Sequence, residues 1–334
     1  MKRGRVCRGF LGGDGKRAII RLVDLREALR DVVRVGVARG AVDFEGVVAG
    51  AVEYLDTFEG EPAELEAAAR AVAVDEFAAH EEAQAGWGDE ELEPDRLRAA
   101  FRALDEAGIV ARADFACCQN CGIHEIGAEI PEGETRRGYA FCHRQDVEGA
   151  LDGGGVHLAF GVFGKGGGAA EIAAEVVDVL GRHGFEPVWN GDAGTRVFVP
   201  MTWRVRRHGR LAAYPGRPEA PGPVLTVSVQ DLARGTWQED WPMTFPEVRS
   251  LLLDLPPVAG SFFVCATPSE RVVQGMWEGG DRLWAEQLVA EERASYGRSV
   301  TLDEALGVLR VLAEEGRYSL GELGPLRRET WPEG

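Results

Sequence analysis

The sequence predicts an α+β protein in which an N-terminal helical region is followed by a mixed α/β sheet and then by a second small α+β domain. Apolar residues recur at helical spacing as far as Gly108, and short strand-like runs alternate with helices beyond it. A Pro-, Gly- and Arg-rich stretch then precedes a last group of short strands and helices. The predicted divisions are a basic arm (1–24), a helical plus α/β domain with a cysteine cluster (25–203), a linker (204–222) and a Trp-rich α+β domain (223–334).

Four amphipathic helices make up the N-terminal region. Asp43 is placed to cap the second helix with its side chain, and Pro94 is placed to open the fourth, which Gly108 ends. The third helix, from about residue 63 to 84, is apolar on one side and rich in carboxylates on the other. Each apolar stripe needs a neighbour to cover it, so the helices are expected to pack together.

The central region is predicted to be a sheet with helices. Strands are expected over 139–143 and 156–162, and a helix over 169–183 that Gly184 ends. Two strand-like runs within 186–199 flank the sequence NGDAG, which predicts a hairpin with an Asn-Gly turn.

The C-terminal region is predicted to be a separate α+β unit. The runs VLTVSVQDL and SFFVCAT are strand-like, and a short helix is expected over 245–255. Thr301 and Glu304 form a capping box at the start of the last helix.

Composition and charge exclude several classes of function. The 334 residues carry a formal net charge of −18, which disfavours nucleic-acid binding because phosphates would be repelled. No apolar run approaches the roughly 18 residues of a membrane span. The basic start is not followed by the apolar segment of a secretory signal. A cytoplasmic protein is therefore expected, without membrane insertion.

Two surfaces are candidates for a protein partner. Residues 41–110 contain 19 Asp and Glu against 4 Arg, so the helical region is strongly acidic. Five of the eight Trp lie in the last domain, and Trp residues often anchor interfaces. A solvated helical face and an ordinary core are the simpler interpretations of these features.

The candidate site is the cysteine cluster in FACCQNCGIHEI. Cys118 and Cys121 have the C-x2-C spacing with which one turn supplies two zinc ligands, and Cys117 offers a third thiol. His124 continues the same spacing. Cys142 and His143 follow at a distance close to that between the ligand pairs of zinc modules. Because these two residues are adjacent on a predicted strand, only one of them is expected to reach the ion.

Other interpretations of the cluster remain open at this point. The thiols could be buried as small hydrophobes, since cysteine is among the most buried residue types. The C-x2-C could serve a thiol-redox enzyme, and a Cys121–His143–Asp146 triad can be drawn from the sequence. A phosphate site at Lys165 departs from the Walker pattern at two positions, and a flexible connector is the simpler interpretation.

The segments FACCQNCG, GYAFCHRQD, VHLAFG and VWNGDAGTRVFV resemble an uncharacterised bacterial family, described as a domain of unknown function, over roughly residues 25–200. The resemblance implies no activity and no catalytic residues. It implies that an aromatic residue often stands in place of Cys142 in similar sequences, whereas His143 belongs to a shared F-x-H pattern. His143 is therefore the expected distal ligand. The second domain is only faintly similar to small α+β immunity proteins that sequester toxins.

The preferred hypothesis is a cytoplasmic binding or regulatory protein, and the question of an enzymatic activity stays open, with a non-enzymatic role favoured. Its expected cofactor is a structural zinc ion held by Cys117, Cys118, Cys121 and His143. The alternatives are a toxin-neutralising protein of the immunity type and a thiol-redox enzyme that uses the C-x2-C.

Overall fold

A computed structural model describes residues 22–55, 61–88, 91–130, 133–164, 168–218 and 224–330. It confirms the α+β class: helices come first, a four-stranded sheet follows, and a seven-stranded sheet forms the C-terminal part. Most of the predicted basic arm lies outside the described residues, and so does Lys165. Among the described helices, none combines the length and hydrophobicity that crossing a membrane requires.

Three helices form the N-terminal layer: α1 (Leu22–Arg39), α2 (Phe44–Tyr54) and α3 (Pro62–Ala85). Asp43 caps α2 as predicted, because its Oδ1 accepts a hydrogen bond from the Gly46 amide at 2.9 Å. The apolar stripes of the three helices meet in one core, in which Phe44 and Phe77 pack edge to face.

The four-stranded sheet has the order β1-β2-β3-β4, with β1 parallel to β2 and the other pairs antiparallel. The predicted strand over 139–143 ends earlier, at Phe141, because His143 is the N-cap of the next helix. Strand β1 and helices α5 and α6 were not predicted. In chain order the elements are α4 (Glu93–Glu106), β1 (Ile109–Arg112), α5 (Gln119–Glu125), a 3-10 turn (Ile126–Glu129), β2 (Gly138–Phe141), α6 (Arg144–Ala150), β3 (Val156–Val162), α7 (Ala169–Arg182) and β4 (Val197–Val199).

The predicted hairpin around the Asn-Gly turn is closed by two backbone hydrogen bonds of 2.7 and 2.9 Å between Val188 and Phe198.

The chain after β4 returns to the helical layer. The short helix α8 (Gly209–Ala212) follows. Arg207 is buried here and donates to the carbonyl oxygen of Val37 at 2.8 Å. The segment assigned to the predicted linker thus packs on the helices, and the division at 204–222 remains a prediction.

The C-terminal part is an antiparallel sheet in the order β11-β10-β9-β8-β7-β5-β6, with two helices on one face. The capping box of the last helix is confirmed, because the Glu304 amide donates to Thr301 Oγ1 at 3.2 Å. The elements are β5 (Val224–Asp231), β6 (Thr236–Thr244), α9 (Phe245–Asp254), β7 (Phe262–Ala266), β8 (Val272–Gly279), β9 (Arg282–Val289), β10 (Ala294–Thr301), α10 (Leu302–Glu315) and β11 (Arg327–Thr330).

Charged side chains join the two sheets. Arg112 Nη1 lies 2.7 Å from Oδ2 of Asp105, and its Nε lies 2.7 Å from Oε2 of Glu129. Glu129 Oε2 is also 3.6 Å from Nε of Arg234 in the C-terminal part. The 3-10 turn that follows α5 is therefore fixed at the contact between the two sheets.

Candidate metal centre

The cysteine cluster lies where the chain leaves β1. Asp114 and Ala116 adopt positive φ angles of 52° and 58°, which non-glycine residues adopt only when neighbouring contacts hold them. Here, Asp114 Oδ2 is 2.7 Å from Nη2 of Arg39, and the Arg144 amide donates to the carbonyl oxygen of Ala116 at 3.2 Å. These contacts place the cysteines beside the start of α6.

Helix α5 then positions the thiols. Cys118 is the N-cap residue of α5, and Cys121 lies one turn later, so both side chains reach the same side of the helix start. Gly122 lets α5 approach β2 closely, because a Cβ atom at this position would lie 2.3 Å from Cε2 of Phe141. Ile126 is buried beneath α5 and anchors its other end.

The sulfur atoms of Cys117, Cys118 and Cys121 all lie within 4.8 Å of one another. Tetrahedral zinc with Zn–S bonds of about 2.3 Å needs sulfur atoms about 3.8 Å apart, so small side-chain adjustments would close the site. All three residues are partly exposed, which leaves the cluster reachable from solvent. The predicted group of thiols is thus brought together, and it could hold a metal ion.

His143 lies at the N-terminus of α6 and is only 5% exposed. Its Nε2 atom is 3.1 Å from Oδ2 of Asp146, and Arg196 Nη1 donates to Oδ1 of the same carboxylate at 2.9 Å. Its Nδ1 atom is buried, and no hydrogen-bond partner for it occurs among the described residues. The imidazole is not one of the groups that lie within 4.8 Å of all three sulfurs.

The surroundings of His143 favour a neutral ring. Burial lowers the pKa of His143 below its ordinary value, against the opposing attraction of Asp146. The Nε2 atom lies between two groups, 3.1 Å from Oδ2 of Asp146 and 3.2 Å from Nη1 of Arg196. In the tautomer in which Nε2 carries the proton and donates it to Asp146, Nδ1 is a buried lone pair. An imidazole held in this way by a carboxylate has the arrangement that metal-ligating histidines usually show.

Cys142 does not share these properties, although it adjoins His143. Its side chain is fully buried in the core between the sheet and its helices, and burial raises the pKa of its thiol to about 12. A protonated thiol is a poor metal ligand, since the thiolate is the binding form. The structure therefore assigns Cys142 to packing.

Sequence reasoning missed two charged neighbours of the site. Arg196 follows the WNGDAG turn and reaches Asp146 across the sheet, and Arg39 comes from α1 to meet Asp114. Their sequence positions are 50 and 75 residues from their partners, so no local pattern could have paired them. The sequence suggests Asp146 only as the third member of a Cys121–His143–Asp146 triad, and not as a partner of Arg196.

Comparison with known proteins gives one match. The profile of a domain of unknown function, DUF6891, matches residues 23–207, which is more than half of the chain and includes the whole cysteine cluster. No curated protein and no solved structure matches the chain.

Proposed function

The chain belongs to the DUF6891 family of domains of unknown function, and we propose that it is a binding or regulatory protein with a thiolate metal site. The observation that carries this proposal is the proximity of three sulfur atoms, those of Cys117, Cys118 and Cys121, within 4.8 Å. Soft thiolate ligands select zinc or copper(I) over magnesium or calcium. Zinc is the proposed ion.

His143 is the proposed fourth ligand, through its Nδ1 atom. Two features support this role: Nδ1 is buried with no hydrogen-bond partner in the described part of the chain, and Asp146 lies 3.1 Å from the other ring nitrogen. Asp146 would fix the ring orientation and keep the lone pair on Nδ1. Four protein ligands would make a closed site, which stabilises a fold and has no open position for a substrate.

The test is elemental analysis of the purified chain after dialysis against a zinc buffer. One equivalent of zinc is expected in the wild type, and a substoichiometric amount in Cys118→Ser and Cys121→Ser. Cys265→Ala is the matched control, because it removes a thiol buried in the other core. The proposal would be contradicted if the wild type contained no zinc, or if the wild type and the three variants contained equal amounts.

A second candidate function is the binding of a protein partner by the open face of the seven-stranded sheet. Strand register places five residues in one row across the strands, in the order Trp237, Gln230, Phe262, Met276 and Trp284. Trp237 and Met276 are 50% and 47% exposed, whereas α9 and α10 cover the opposite face. Exposed aromatic residues in one row are typical of an interface.

The charges on this face favour a basic partner. Trp237 Nε1 lies 3.3 Å from a carboxylate oxygen of Glu239, and Trp284 Nε1 lies 3.4 Å from one of Glu286. An aromatic ring beside a carboxylate suits a guanidinium or ammonium group, which contacts both. The proposed occupant is an arginine-rich segment of another protein; the immunity-type alternative likewise places a protein partner on the Trp-rich domain.

A labelled nona-arginine peptide can test this surface by fluorescence anisotropy at physiological salt. Trp237→Ala is expected to weaken binding several-fold, while Trp87→Ala, remote from this sheet, leaves it unchanged. Equal peptide affinity in both variants would show that the peptide binds through the net negative charge of the protein and not through Trp237. Self-association of the chain through this face, detected by sedimentation, would also overturn the assignment.

A further inference from the structure

A pocket of about 380 Å³ lies between the helical layer and the four-stranded sheet. Its volume is within the range of small-molecule sites in proteins. Helices α1 and α3 form one side, and the chain segments that follow α6 and β4 form the other. Its walls are the residues Arg34, Ala38, His80, Ala83, Trp87, Leu151, Trp203 and Arg204.

Two aromatic rings form part of the accessible wall. The rings of His80 and Trp87 meet edge to face, with centroids 5.3 Å apart. The side chain of Trp203 is 2% exposed, so it belongs to the core and supports the wall from behind. Its backbone amide donates to the carbonyl oxygen of Ala150 at 2.9 Å, which fixes the chain there. Rigid aromatic walls favour a planar ligand, because stacking needs little reorganisation of the protein.

The polar groups of the pocket are cationic. Arg34 and Arg204 line it, and no carboxylate does, although the chain carries a net charge of −18. Arg34 forms one exposed ion pair with Asp152 at 3.2 Å, which contributes little to stability. Arg204 forms no ion pair with any residue that the structure describes. Guanidinium groups bind carboxylates through paired, charge-assisted hydrogen bonds.

We propose that this pocket binds a small planar aromatic carboxylate, with Arg204 and Arg34 holding the anion and Trp87 packing on the ring. His80 completes the wall, and its ring is held in place because Nε2 donates to the carbonyl oxygen of Val205 at 3.1 Å. The cysteine cluster contributes no residue to the pocket, so this site is independent of the proposed metal centre.

The test is isothermal titration calorimetry of the full chain with 2-naphthoate. Binding is expected for the wild type, and about tenfold weaker binding for Arg204→Gln, as for the loss of one charge-assisted hydrogen bond. Trp87→Ala removes the indole that packs on the ligand ring and is also expected to weaken binding. Arg182→Gln, at an exposed arginine of α7, is the control and is expected to bind like the wild type.

Four results would overturn the proposal. The first is no detectable binding of 2-naphthoate to the wild type, and the second is equal affinity in Arg204→Gln. The third is equal affinity for the neutral 2-naphthamide, because the anion would then not be recognised. Inorganic phosphate that competes fully with 2-naphthoate would assign the pocket to anions in general and would also overturn the aromatic specificity. A thermal unfolding curve of each variant confirms that it is folded.

Discussion

The Arg102 guanidinium of α4 donates to the carbonyl oxygen of Leu252, at the C-terminus of α9, over 2.6 Å. The same Nη2 atom lies 3.0 and 2.9 Å from the carbonyl oxygens of Leu253 and Leu255. The last carbonyls of a helix have no partner within the helix and carry partial negative charge. A side chain from the N-terminal region thus caps a helix of the C-terminal region.

Removal of this contact should destabilise α9. We expect Arg102→Ala to lower the free energy of unfolding by about 2 kcal/mol, since the cap and the packing over Trp277 are both lost. Arg102→Met keeps the packing and should cost about half of that. Hydrogen exchange across Phe245–Asp254 measures the effect directly, and Arg182→Ala on the surface of α7 should leave it unchanged. Wild-type protection of α9 in Arg102→Ala would contradict the capping role.

Two glycines near the cysteine cluster should respond in opposite ways to alanine. Gly122→Ala places a Cβ atom 2.3 Å from Cε2 of Phe141, so overpacking should destabilise the chain by roughly 1–3 kcal/mol. Gly127→Ala meets no atom within 4 Å and should be neutral or slightly stabilising, because alanine is the better helix former. Urea unfolding of both variants provides the measurement. Equal stabilities would mean that α5 does not pack tightly on β2.

Asp146→Asn tests the proposed orientation of His143. An amide in place of the carboxylate holds the ring less firmly and no longer favours the lone pair on Nδ1, so zinc affinity should fall by about 10- to 100-fold. Competition with a chelating dye measures this affinity. Asp152→Asn, at an exposed carboxylate, is the control and should keep wild-type affinity. Unchanged affinity in Asp146→Asn would contradict the orienting role of Asp146, and unchanged affinity in His143→Ala would exclude His143 as a ligand while leaving the three-thiolate site in place.

His80 should make the protein sensitive to acid. Burial lowers the pKa of His80 to about 4 from its ordinary value of 6.5, so the folded state favours the neutral ring. Its contribution to stability is therefore complete above pH 6.5 and is lost as the pH falls from 6.5 towards 4. His80→Gln keeps a donor for the Val205 carbonyl oxygen and does not titrate. Between pH 7 and pH 4.5, the wild type should lose more stability than the variant, by roughly 2–3 kcal/mol. Parallel pH curves would contradict this.

Much of the fold could be predicted because it depends on local patterns. Asp43, Pro94 and the Thr301–Glu304 pair mark helix ends through contacts within a few residues, and the structure confirms them. Strand β1 was missed because it has only four residues and is buried throughout, so it shows no alternation. Helix α6 was missed because His143 is an unusual N-cap residue.

The candidate site, like the fold, has some features that local sequence predicts and others that depend on tertiary packing. The proximity of Cys118 and Cys121 follows from their spacing on one helical turn, and the sequence is sufficient to predict it. The hydrogen bond of His143 to Asp146 and the orphan Nδ1 atom depend on how α6 meets the sheet. The domain division and the fourth ligand remain predictions.

The sequence by itself determined the α+β class, the ends of the principal helices and the group of three thiols, because each depends on interactions between residues close along the chain. The tertiary structure alone decided which distant charges meet: Arg102 with the end of α9, Arg196 with Asp146, and the two guanidinium groups of the aromatic pocket. Such pairs are set by how helices and sheets pack against one another, and packing depends on complementary shape over the whole core, which no local pattern encodes.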